Sequence, residues 1–280
     1  LTTVQLNSLG ASQLSQLKPE QMVGLSVTKL NQLEASAIGG LLGTQVAGLT
    51  TEQVNGLSTA ALSGLSTSAI SAMKTAQIVA LNTAQVSSLS SNHLKALTTS
   101  QIVALETRDL VVLSTANFGL LSSSQMVALT TTQLVSLKTD ALASLSGSAV
   151  SAMTTAQIVA LTTDQVNNLT TMAVGALTTK QIVALQTSDV AALSTNSVAN
   201  LTSAQLKAFT TQQLLALETR DVAVLSAEAL AALSSAQVRV LTTAQIVALS
   251  TAQAASMTSA FLKALTTNQI AALETCDASV

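Results

Sequence analysis

Large apolar residues return along this chain at every eighth position. Counted in octads from Leu1, position 1 is Leu in 31 of 35 octads, and the exceptions, Met73, Met153, Phe209 and Met257, are also large and apolar. Position 6 is apolar throughout and shrinks to alanine only at Ala254 and Ala278. Position 3 is Ser or Thr in 28 octads, position 8 is Gly, Ala or Ser in 26, and position 5 is Gln in 19. The consensus is L-T-T-x-Q-I-V-A, and no insertion breaks the register over 280 residues. All 24 Lys, Arg, Asp and Glu fall at positions 2, 4, 5 or 7. Ionised groups avoid burial unless paired. Positions 1, 6 and 8 are therefore expected to face inward, position 3 to be semi-buried, and positions 2, 4, 5 and 7 to face outward.

A straight helix turns about 100° per residue, so a row repeating every eight residues winds around it by about 80° per octad. Repeats of seven or eleven stay in phase and eight does not, so the chain must bend once per octad. One bent solution is a very short helix in each octad. In T-x-x-Q the Thr caps the helix and the Gln closes the capping box; Thr98 and Gln101 illustrate the pair. Pro19, the only proline, falls at position 3, the first helical position, where proline is favoured. Where position 2 is charged, as at Glu106 and Lys138, the cap is expected to shift by one residue. The alternative is a β-solenoid with a turn at positions 4–5. The turns lack the Gly, Asn and Asp of tight corners, and Ala, Leu and Gln are weak strand formers.

A helix of about six residues does not stand alone, so it must stack on other octads, as in a solenoid. Ten octads carry Gln at position 5, apolar residues at 6 and 7, and Ala or Gly at 8, with glutamines running from Gln21 to Gln269. Nine gaps of 24 or 32 residues span 248 residues, a mean of about 27.6. The sequence thus predicts an all-α superhelical solenoid, one short helix per octad and about 3.4 octads per turn, with a β-solenoid as the alternative. It reads as a single continuous array over 1–280 with no separate domains. Leu97, Ile102, Leu105, Leu110 and Leu113 are the representative core. Eight of eleven glycines lie before residue 65, which suggests a looser or more tightly curved N-terminal region.

Composition narrows the function classes. Charged residues are 9% and the net charge is −2, which gives no electrostatic footprint for nucleic acid. Mean hydropathy is +0.53, yet polar residues interrupt every apolar run before the ~20 residues a membrane-spanning helix needs. No membrane insertion is expected. A single cysteine, Cys276, excludes an internal disulfide framework and reads as a free thiol at an outward position, with an intermolecular disulfide as the alternative. No signal-peptide pattern opens the chain, and Leu1 is not a start methionine. A mature fragment or a piece of a longer protein is expected.

Two resemblances follow from these motifs. LKPEQMVGL (17–25) and LTTSQIVAL (97–105) resemble the opening of TAL-effector repeats over about nine residues. That family's 34-residue period and base-reading pair are absent. The uninterrupted L-T-T-A-Q-I-V-A array resembles octapeptide-repeat regions of very large bacterial secreted or cell-surface proteins, over the whole chain. That resemblance implies an extracellular or cell-surface scaffold and no particular chemistry.

The candidate sites are few. Glu106, Arg108 and Asp109, and again Glu218, Arg220 and Asp221, are expected to form surface ion-pair clusters. The only histidine, His93, takes the glutamine position and is expected on the surface. Ser and Thr occupy repeat positions, so no nucleophile is singled out. No catalytic residue, cofactor or metal ligand set is expected, and an enzyme is the least favoured class. The expected function is a structural stalk or filament of a bacterial surface or secreted assembly. Its partners would be other copies or flanking repeats of a longer polypeptide, with no nucleic acid. The alternative is an adhesin-type module for a glycan, a surface or ice.

Overall fold

A computed structural model describes residues 2–277. Its described residues form 34 helices and no strand, so the β-solenoid alternative is excluded. The fold is an all-helical solenoid. Every helix has four to six residues except the last, Thr267–Asp277.

The octad 97–104 shows why the chain folds this way. Thr98 is extended (φ −71, ψ 161) and its side chain accepts from the Gln101 N–H at 3.2 Å. The Gln101 Oε1 accepts from the Thr98 N–H at 2.8 Å. The helix Thr99–Ala104 ends at Leu105, again extended (φ −62, ψ 132). Two extended residues therefore separate successive helices, and they bend the chain with no positive φ among the described residues. This is why the corners do not need Gly, Asn or Asp. Pro19 opens its helix at the first position.

The expected shift of the cap at charged position 2 does not occur. Helices still begin at Thr107 after Glu106 and at Thr139 after Lys138, although neither side chain makes a cap bond. At Lys74 the Gln77 Oε1 takes the N–H at 2.7 Å and holds the helix start from position 5. After Glu106 and Lys138 the start keeps its place without a glutamine, since position 5 there is Asp109 and Ala141.

By their contacts the residues form two compact units, Leu1–Ser144 and Leu145–Val280, and Ser144 closes an octad. Inside each unit most helices pack on the helix three octads further on, while Val27–Asn31 packs on Thr59–Gly64, four octads on. In the first, Gly43–Gly48 lies between Pro19–Val23 and Thr67–Ala72; in the second, Thr163–Asn167 packs on Thr187–Ala192. Position-6 side chains such as Met22, Val54 and Ile158 are fully buried between layers, and position-1 leucines line the same core. Leu97, Ile102, Leu105, Leu110 and Leu113 are all buried. The N-terminal glycines mark close approach between layers: a Cβ on Gly43 would lie 2.7 Å from the Ala72 Cβ, and one on Gly48 2.7 Å from the Pro19 Cβ.

Candidate functional site

The most densely bonded feature of the fold is the row of position-5 side chains. The sequence reading placed this row outward, and the structure corrects it: Gln45, Gln101, Gln181 and Gln213 are each 1–2% exposed. Each of these carboxamides is held on both sides. Its Oε1 accepts from the N–H of position 2 in its own octad, and its Nε2 donates to main-chain carbonyls of the preceding layer. Gln45 reaches Leu14 O and Leu17 O at 2.7 Å each. Gln101 reaches Ile70 O at 2.9 Å and Met73 O at 2.8 Å. In the second unit Gln213 reaches Ile182 O and Leu185 O at 2.7 Å each. The acceptors lie 31 and 28 residues earlier in every case. This spacing matches the turn of about 28 residues read from the sequence.

The physical cause is the helix C-terminus. A six-residue helix leaves most of its last carbonyls without an internal partner, and these point at the next layer. A buried carbonyl without a donor is costly, and the Gln amide supplies one. A sequence signal for this existed: position 5 carries 19 Gln and no Glu, although it admits Lys29 and four Asp. A solvated position would accept Glu as readily as Gln.

Substitutions in this row perturb the site. Asp109 and Asp221 are 0% exposed and Asp189 is 1% exposed, so the expected surface clusters have a buried member. Arg108 pairs with Glu106 at 2.6 Å and Arg220 with Glu218 at 2.7 Å on the solvent side, as surface pairs. The buried Asp109 and Asp221 are each 3.8 Å from the neighbouring arginine, beyond hydrogen-bond reach. Position 5 is the same inward position as the glutamines, which is why the acid is buried. The Thr195 hydroxyl donates to Asp221 at 2.9 Å and the Thr163 hydroxyl to Asp189 at 3.2 Å. Neither oxygen of Asp109 has a hydrogen-bond partner. Burial pushes all three carboxyls above their ordinary value. Arg108 opposes the rise at Asp109, the Gln186 N–H and then Thr163 at Asp189, and Thr195 and then Arg220 at Asp221.

His93 is buried at 5% exposure, not on the surface as expected. Its Nε2 lies 2.8 Å from Leu65 O, 28 residues earlier, and so takes the place of a Gln Nε2. Its Nδ1 is buried without a partner. The side chain of Cys276 lies outside the described residues, as does Ala278.

No group of three or more His, Cys, Asp or Glu among the described residues gathers as a metal site. No described helix is long and apolar enough to cross a membrane. The chemistry gathered at position 5 is recognition of main-chain carbonyls by a carboxamide, and it joins layer to layer.

Short capped helices in strict octads, tied together by buried glutamines, define a tandem-repeat helical solenoid. The ALTTAQ repeat family matches residues 51–83, 75–105, 102–139, 137–171, 182–219 and 214–251, and the chain belongs to that family. No curated protein matches it.

Proposed function

We propose that the protein is a structural scaffold that lengthens by stacking of like layers, serving as a stalk or filament in a bacterial surface or secreted assembly. The observation that carries this reading is that the layer joint has two different, complementary faces. One face presents position-5 amides and the other presents position-6 side chains with the carbonyls beside them. Gln5, Gln13 and Gln21 are exposed, unlike the glutamines of inner layers. At the other end of the chain Leu262 is 51% and Ile270 41% exposed, where inner position-6 residues are buried. A head-to-tail contact of this kind is heterologous and propagates without closing. The same joint serves whether the next layer comes from one polypeptide or from another copy. The surface or secreted setting is part of the proposal and rests on the resemblance to octapeptide-repeat regions.

Sedimentation velocity over a concentration series, with negative-stain electron microscopy, tests it. Association that grows with concentration is expected, and Leu262→Lys with Ile270→Lys abolishes it while the circular dichroism spectrum is retained. A chain that stays monomeric at every concentration would count against assembly through these faces. So would association that survives both lysines.

A further inference from the structure

We propose that the cleft over Ala141 is a binding site for a primary carboxamide on a short aliphatic stem, the chemistry of a glutamine side chain. Position 5 is alanine in seven octads, among them Ala37, Ala61 and Ala141. There the position-2 N–H and the carbonyls of the preceding layer lose the carboxamide that joins them elsewhere. At two of these places an asparagine of the preceding layer supplies the missing oxygen. The Asn7 Oδ1 accepts from the Glu34 N–H at 3.1 Å beside Ala37, and the Asn31 Oδ1 from the Ser58 N–H at 2.7 Å beside Ala61. At these two places the position-2 N–H thus takes a carboxamide oxygen from another part of the chain.

At Ala141 the equivalent residue, thirty positions earlier, is Val111, which has no amide to offer. A cavity of about 270 Å³ lies there, lined by Leu110, Val111, Leu113, Lys138 and Ala141 among others. The corresponding cavity beside Ala61, where Asn31 reaches in, is about 120 Å³. The lining of the larger cleft reproduces the residues that hold Gln101, the counterparts of Ile70, Ser71, Met73 and Thr98. Among the described residues nothing accepts from the Lys138 N–H and nothing donates to Leu113 O, while Leu110 O holds one bond, from the Leu113 N–H at 3.2 Å. A donor and two acceptors are therefore presented in the arrangement that grips a carboxamide elsewhere in the chain. A carboxylate would set an oxygen against the two carbonyls, and Asp140, whose Oδ1 accepts from the Ala141 N–H at 2.9 Å, also lines the cleft. A tertiary amide would bring no N–H.

The test uses the full chain labelled with 15N-lysine, which gives eight main-chain amide signals, with Lys138 assigned through Lys138→Arg. Titration with propionamide is expected to shift the Lys138 amide to saturation in the millimolar range, as suits a ligand of a few atoms. Lys74 is the internal control, because its N–H is already held by the Gln77 Oε1. Propionate should leave Lys138 in place. Ala141→Gln should move the signal to the bonded position without ligand and remove the response to propionamide. The proposal is overturned if the Lys138 shift does not saturate, if propionate shifts it equally, or if Lys74 moves with it.

Discussion

Replacing Gln101 by alanine removes one complete link between two layers. The side chain is 2% exposed. It makes three short hydrogen bonds: Thr98 N–H to Oε1 at 2.8 Å, and Nε2 to Ile70 O at 2.9 Å and Met73 O at 2.8 Å. A longer contact to Ser71 O, at 3.3 Å, adds little. At about 1 kcal/mol net for each bond, Gln101→Ala should cost about 3 kcal/mol. Gln13→Ala is the reference. That residue is exposed, and its Oε1 makes the same kind of cap bond, to the Gly10 N–H at 3.0 Å. Loss of a cap bond costs about 1 kcal/mol. The difference, about 2 kcal/mol by the same bond count, reports the interlayer bonds alone. Urea unfolding followed by far-ultraviolet circular dichroism measures both variants, and amide hydrogen exchange at Thr98 localises the effect, because each layer depends mainly on its neighbours. A cost for Gln101→Ala no greater than that of Gln13→Ala, or unchanged exchange at Thr98, would show that these bonds do not hold the layers together.

Three further outcomes follow. Asp109, Asp189 and Asp221 hold their protons to higher pH folded than unfolded, so their contribution to stability is fully present below the ordinary carboxylate value and is lost as pH rises through the raised folded values. Urea midpoints over a pH series should fall in that window, and a triple Asp→Asn variant should flatten the fall; an unchanged slope would contradict it. Asn31→Ala should destabilise by ~1–3 kcal/mol, because it leaves the Ser58 N–H without its acceptor. Adding Ala61→Gln should restore that loss, and a double-mutant cycle with no coupling would remove the assigned role of Asn31. Leu105→Ala, at a buried core position, should cost about 2–5 kcal/mol. Val103→Lys, at a position 50% exposed, should change stability by less than about 0.5 kcal/mol, and calorimetric melting curves of the two should separate accordingly.

Much of the fold is legible in the octad because its determinants are local. Thr98 and Gln101 close a capping box within four residues, Pro19 marks the first helical position, and the Leu and Ile rows state the core. The turn length also shows, as the unequal spacing of the QIVA octads. The inward face of position 5 did not show, because two physical rules pull in opposite directions there. Asp109, Asp189 and Asp221 suggest solvent, since ionised groups resist burial. The position is buried all the same, because it faces helix-end carbonyls that need a donor, and that demand comes from a layer 28 to 31 residues away. His93 and the acids are departures from the rule that glutamine states. The pairing of Asn31 with Ala61, thirty residues on, can be seen only once the layers are superposed.

Buried glutamines such as Gln101 tie their layer to main-chain carbonyls 28 and 31 positions earlier. Nuclear Overhauser contacts from the Gln101 side-chain amide test it most directly. Contacts to Met73 and Ile70 are expected, with amide protons that exchange slowly with solvent. Contacts confined to the octad of Gln101 and its chain neighbours, with rapid exchange, would contradict it.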